Sequence, residues 1–258
     1  MKKIYMSLII IFFVTTNLFA KTGTSNAQKL ELINIVNQQE ILSQRITKAY
    51  LYVNKTNVSG NADRQLKSAL KSFYKTYSKI NTSTKSPQIR TIMSFIKKSS
   101  NKFNQLVKQP HSKENTKEIL KLSEKVLAKS KKVATLLKKD LNKNIYEAME
   151  KSNQQQVLVE KIATYCKALE LNKDDETLKK KIKASIEAFA SNHKKLMQNK
   201  HNSKVILQKL KEVDEIWKAS YPIYQDKKLI NSFVFNSTTE ISKKMREISK
   251  LYMAMKKQ

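Results

Sequence analysis

Apolar residues recur at intervals of three and four along nearly the whole chain, separated by polar positions that are mostly lysine. That is the period of a helix with one buried face. The spacing predicts a first helix over about 27–54, with Leu32, Ile35, Leu42, Ile46, Ala49 and Val53 in a stripe and Gln39 in the same line. A turn over Thr56–Asn61, containing Gly60, leads to a second helix over about 62–80 carrying Leu66, Leu70, Phe73 and Tyr77. The polar stretch Asn81–Ser86 and Pro87 open a third, with Ile89, Ile92, Met93, Ile96, Phe103 and Leu106, which Pro110 ends. A fourth begins near Ser112, with Ile119, Leu122, Val126, Val133 and Leu137 inward. Between Ser112 and about Leu171 there is neither Gly nor Pro. This favours one long helix shared by two halves of the chain, a break near Asn142–Asn144 being the alternative. Further helices are predicted over 174–199 and 203–221, then a turn at Pro222–Lys227 and a last helix to the C-terminus.

The pattern repeats. A shift of 116 sets Asn37-Gln38-Gln39 on Asn153-Gln154-Gln155, Leu42 on Leu158, Arg45 on Lys161 and Ile46 on Ile162. The same shift sets Leu66, Leu70 and Phe73 on Ile182, Ile186 and Phe189. A shift of 114 pairs Ile92, Met93, Ile96 and Phe103 with Ile206, Leu207, Leu210 and Trp217, and one of 115 pairs Val126 with Ile241 and Val133 with Ile248. Periodicity alone explains the apolar matches but not the repeated amide cluster. The expectation is therefore an all-α chain of two tandem four-helix bundles, a unit over 27–141 and a second over 142–258, joined by the long shared helix.

Composition supports the fold class. With 2 Gly and 3 Pro in 258 residues, few positions break a helix. The start differs from the rest: Lys2 and Lys3 precede the apolar run Leu8–Val14, and Leu18-Phe19-Ala20 closes it. This reads as a cleaved export signal over residues 1–20, its apolar core being short for a membrane span of roughly 20 residues. No Cys follows the run, so no lipid attachment is expected, and the product is expected in the periplasm or outside the cell. Cys166 is the only cysteine, which excludes an internal disulfide.

Lys and Arg number 51 against 21 acidic residues, a formal charge of +30. Only Arg45, Arg64, Arg90 and Arg246 are arginines. A lysine-dominated surface is as readily a matter of biased genome composition as of function, but it attracts anions, acidic polymers or anionic headgroups in a salt-dependent way. Export and the lack of aromatic residues interleaved with basic ones argue against nucleic acid. No phosphate loop, nucleophile elbow or paired catalytic carboxylates occur, so no enzyme is expected and no cofactor is implied. His111, His193 and His201 lack metal-ligand spacing and are expected at the surface. Cys166, aligned with Tyr50, is expected as a packed thiol.

The chemistry is concentrated in the first helix. Residues seven apart nearly eclipse, so Gln38 and Arg45 share a face with Asn34, Ile41 and Lys48, beside the apolar stripe. A guanidinium held there, with Gln38 and Gln44 completing its hydrogen bonds, suits a small oxyanion or carboxylate. The alternative is a polar network that fixes helix register. Gln39 and Gln155, in the apolar stripes, each need a partner from another helix or from one another, because a buried unpaired amide costs about 1–3 kcal/mol.

Asn34, Gln39, Leu42-Ser43-Gln44-Arg45 and Lys48 resemble the helix-one motif of PilJ-like sensor domains of type IV pilus methyl-accepting chemotaxis transducers and of NarX-like nitrate/nitrite sensor kinases. The resemblance implies an extracytoplasmic four-helix bundle, often a homodimer, in which the motif arginine, here Arg45, binds nitrate or a related anion near the dimer interface. The resemblance implies Arg45 as the ligand-binding arginine; with it, the expected ligand-binding positions are Gln38, Gln44, Lys48 and Asn37, and Lys161 and Gln154 in the second copy. Asn37 and Asn153 stand where the family has glycine, Gln38 and Glu40 where it has further arginines, and Val159-Glu160 where the first copy has Ser43-Gln44. No membrane span or cytoplasmic signalling region follows the bundles, so a membrane-bound transducer or sensor kinase is the implied partner. The rival is a basic periplasmic holdase or scaffold, whose salt-sensitive binding of clients would be indifferent to Arg45.

Overall fold

The structure, a computed structural model, describes residues 26–53, 58–139, 141, 143–225 and 231–255. The expected leader over 1–20 lies outside the described residues, as do the lead-in up to residue 25, the start of the first turn and the end of the turn expected over Pro222–Lys227. The regular elements are all helices: α1 (Asn26–Val53), α2 (Ser59–Ser83), α3 (Pro87–Leu106), α4 (Lys113–Lys138), α5 (Lys143–Leu171), α6 (Glu176–Met197), α7 (Lys204–Gln225) and α8 (Asn231–Ala254). The fold is all-α, as the periodicity predicts.

Local signals set several boundaries. Ser86, Ser112 and Asp175 cap α3, α4 and α6, their side chains accepting hydrogen bonds from the N–H groups of Ile89, Asn115 and Leu178. Each such cap stabilises by roughly 1 kcal/mol. Pro87 sits in the first turn of α3, where its missing N–H goes unused. Two breakers are overridden. Gly60, expected in a turn, lies in the first turn of α2. Pro222, expected to open a turn, lies inside α7. Past it, Tyr224 is buried with its hydroxyl 2.8 Å from Ser237 Oγ and its ring 5.6 Å from Trp217. Packing against α8 thus carries the helix beyond the proline.

The long shared helix does not form. α4 ends at Lys138 and α5 starts at Lys143, with the N–H of buried Leu141 turned back to the Lys138 carbonyl at 2.9 Å. The cause is tertiary. A continuous helix over 112–171 would be roughly 90 Å long at 1.5 Å per residue, yet both α4 and α5 pack along the 28-residue α1. Gln44 meets Ser123 and Tyr50 meets Pro110, so α4 runs antiparallel to α1. Asn34 meets Asn153 and Tyr52 meets Ala163, so α5 runs parallel to it. The chain therefore reverses between them, and burying two apolar faces outweighs the helical hydrogen bonds given up.

Helix contacts form two cycles. α1 touches α2 and α4, and α3 bridges α2 and α4; α5 touches α6 and α8, and α7 bridges α6 and α8. The α1–α5 contact joins the two, and one apolar core runs through both. Positions paired by the repeat do the same job. Phe73 meets Phe103 edge-on at 5.5 Å between α2 and α3, and Phe189 meets Trp217 at 4.1 Å between α6 and α7. Buried Gln39 accepts from Thr76 on α2, and buried Gln155 donates to the Phe189 carbonyl on α6 at 3.0 Å. Each amide reaches the facing helix, as burial demands. Two histidines depart from the surface placement expected of them: His193 is buried beside the Phe189 ring, and His111 is half-buried and stacked on Tyr50 at 4.2 Å.

Candidate functional site

The α1–α5 seam holds an ion triad. Arg45 Nε donates to Glu160 Oε1 at 2.9 Å, and Lys48 Nζ lies 2.6 Å from Glu160 Oε2. Lys48 and Glu160 are both 0% exposed, whereas the Arg45 side chain keeps 19%. Ser242 on α8 completes the group: its hydroxyl accepts from Arg45 Nη2 at 3.0 Å and donates to Glu160 Oε1 at 3.0 Å. Lys48 also donates to Thr239 Oγ1 at 3.1 Å and stands 5.0 Å over the Phe235 ring. Burial alone would raise the Glu160 carboxyl, but Lys48 and Arg45 together hold it below the ordinary carboxylate range. Burial pulls the Lys48 ammonium down, and Arg45 adds repulsion against the attraction of Glu160. With two cations on one carboxylate, Glu160 stays ionised and the triad ties α1, α5 and α8 in one register.

Arg45 has an outer face as well. A cleft of about 870 Å³ opens between α1, α2 and α8, with Leu42, Ala69 and Phe235 among its apolar lining. Arg45, Arg64 and Arg246 all line it, with Lys75 and Lys243. Three of the chain's four arginines therefore converge on one surface, although nearly every other cation is lysine. Burial and the neighbouring Arg45 lower the Arg246 guanidinium's pKa from its ordinary value. Among the described residues Arg246 makes no hydrogen bond or ion pair, and Arg64 bonds only the Asn61 side chain. Unpaired forked donors beside a low-dielectric wall concentrate positive potential in the cleft.

The residues expected at a ligand site divide among four places. Arg45 and Gln38 line the cleft, and Lys48 lies behind them in the triad. Gln44 is buried on another side of α1, donating to the Ser123 carbonyl of α4 at 3.2 Å. Asn37 and Gln154 line a separate cavity of about 150 Å³ between α1, α4 and α5, with Glu40, Lys131, Lys138 and Glu150. Glu40, the acid in the motif, therefore lines this second cavity and not the arginine cleft. Lys161, the counterpart of Arg45, sits 5.8 Å over the Tyr165 ring in a groove between α5, α6 and α4. There Glu124 accepts from Lys181 at 2.6 Å and from the Tyr165 hydroxyl at 3.0 Å.

Periodicity and repeat matching did not point to Arg64, Arg246, Thr239 or Glu160. One signal was available for the arginines: their rarity in a lysine-rich chain marks each as a position where the fork matters. Glu160 carried none, because its partners come from α1 and α8.

Searches of protein-family profiles, curated proteins and solved structures return no match to this chain. Among the described residues no helix is long and apolar enough to cross a membrane, and no group of three or more His, Cys, Asp or Glu could hold a metal ion.

Proposed function

We propose that this chain is an exported ligand-binding or sensory module of the PilJ/NarX type, built of two four-helix units in tandem, that takes an anion in the α1–α2–α8 cleft. The observation that carries this reading is the convergence of Arg45, Arg64 and Arg246 there. In the family that the helix-one motif resembles, the motif arginine of the first helix lies near the interface of two protomers. Here α1 and α5, the two copies' first helices, pack in parallel within one chain, so the second copy takes the partner's part. Glu160 already engages the inner edge of Arg45, which leaves the bound anion to the outer face of Arg45 and to Arg64 and Arg246. A signal would pass to a membrane-bound transducer or kinase through a change in the α1–α5–α8 packing beneath the site.

Isothermal titration at low ionic strength with nitrate, nitrite and small carboxylates tests the reading. Binding of at least one anion is expected, weakened tenfold or more by Arg64→Ala/Arg246→Ala, since losing one good charge-assisted contact costs about 1.5–3 kcal/mol. No heat from any anion, or unchanged binding by the double variant, would refute it.

A further inference from the structure

We infer, resting on the anion-site reading, that the ligand is an organic acid with two or more carboxylates and not an inorganic oxyanion, and that one carboxylate sits where Thr239 leaves a carboxylate's place open. The repeat supplies an internal template. Shifts of 116 for α1 and α2 and of 115 for α4 pair Arg45 with Lys161, Gln65 with Lys181, Glu124 with Thr239 and Lys131 with Arg246. The same positions meet in both grooves: Lys181 Nζ lies 2.6 Å from Glu124 Oε1 between α6 and α4, and Gln65 Nε2 lies 3.3 Å from Thr239 Oγ1 between α2 and α8.

The two grooves differ in who provides the anion. In the second, Glu124 extends a carboxylate to Lys181 and the Tyr165 hydroxyl, and its charge also acts on Lys161. There the chain supplies its own carboxylate among Lys161, Lys181 and Lys131. In the first, Thr239 offers only a short hydroxyl, already bonded to Lys48, Gln65 and the Phe235 carbonyl. The flanking lysines are replaced by Arg45, whose Nε and Nη2 are held by Glu160 and Ser242, and by Arg246, whose planar fork makes no hydrogen bond among the described residues and matches a carboxylate in two parallel ones. At the Thr239 position the chain has no carboxylate of its own; the two in the cleft's lining are Glu160, held by Arg45 and Lys48, and Glu240, one residue on from Thr239.

Size and lining extend the assignment beyond one carboxylate. A cleft of about 870 Å³ falls in the range of roughly 300–1,000 Å³ used for organic ligands. Its apolar side suits a carbon skeleton, and Arg64, Lys75 and Lys243 line it with no acidic partner within 4 Å among the described residues. Five lining cations face two lining carboxylates, Glu160 and Glu240, and a single monovalent oxyanion would leave part of that surplus unanswered.

The test is calorimetric titration of the full mature chain at low salt with citrate, succinate, acetate and nitrate. Citrate and succinate are expected to bind at least tenfold more tightly than acetate or nitrate. Thr239→Glu, which rebuilds the internal carboxylate, should abolish citrate binding with the helical circular dichroism unchanged, whereas the neutral Thr239→Gln should retain binding within about threefold. Arg246→Gln, at an exposed position, serves if Thr239→Glu does not fold, and should weaken citrate more than nitrate. Nitrate binding as tightly as citrate, Thr239→Glu binding normally, or equal loss in Thr239→Gln overturns the carboxylate assignment and leaves the anion site standing. Absence of binding by all four anions overturns both.

Discussion

Replacing Glu40 by Gln should convert a pH-sensitive protein into a less sensitive one. Glu40 is 5% exposed, in the small cavity between α1, α4 and α5. Burial is the main cause that pushes its carboxyl up to about 8 from 4.5; Lys131 and Lys138 oppose the rise and Glu150 adds to it. For an acid raised in this way, the stabilising contribution is complete below the unfolded pKa and is lost as pH rises through the folded one. Between pH 4 and pH 8 the folded chain must hold a proton that the unfolded chain releases. At 1.36 kcal/mol per unit, the loss by pH 8 is on the order of 4 kcal/mol. Gln is nearly isosteric and does not ionise. Urea unfolding followed by circular dichroism from pH 5 to pH 8.5, wild type beside Glu40→Gln, isolates the effect, because the charge of the rest of the surface is common to both. The variant's advantage should grow with pH, to roughly 10 °C in melting temperature at pH 8 for a chain of this size. Parallel stability curves for the two proteins would show that Glu40 is not buried as described.

The triad yields a second prediction. Glu160→Gln strands two cations, one of them fully buried, and should cost about 3–5 kcal/mol in urea unfolding; Lys48→Met/Glu160→Met should recover most of that, and additive losses in the cycle would refute the coupling. Because Glu160 is held below the ordinary carboxylate range, its contribution is present above pH 4.5 and disappears as pH falls, so Glu160→Gln should flatten the acid limb of the stability profile. Cys166 is buried and its thiol is pushed up to about 12, leaving on the order of one thiolate in ten thousand at pH 8. A chromogenic disulfide reagent should therefore label it in urea but not in buffer over an hour, and rapid native labelling would contradict its packing.

Residues whose partners are close in sequence were readable in advance. Ser112 and Pro87 announce the starts of α4 and α3 because a cap and a first-turn proline act within a few positions of themselves. Gln39 and Gln155 were readable in kind: an amide in an apolar stripe must find a partner, though Thr76 and the Phe189 carbonyl could be identified only once helices faced one another. Other features had no local signal. No Gly or Pro marks a break between Lys138 and Lys143, so the break near Asn142–Asn144 stands only as the alternative; the reversal is imposed by α1 receiving α4 and α5 in opposite directions. Pro222 and Gly60 gave the wrong local signal, and packing overruled it.

The amino-acid sequence by itself determined an all-helical chain with a repeated apolar framework, because scarce breakers and a period of three to four residues leave few other ways to bury so many apolar side chains. It also singled out Arg45. Only the tertiary structure decided what that arginine meets: Glu160 of α5 within, Arg64 and Arg246 beside an open cleft without. Those neighbours lie on three other helices, α5, α2 and α8, and their convergence depends on helix direction and register across the α1–α5 seam. Both are set by the packing of whole faces, which no single stretch of the chain encodes.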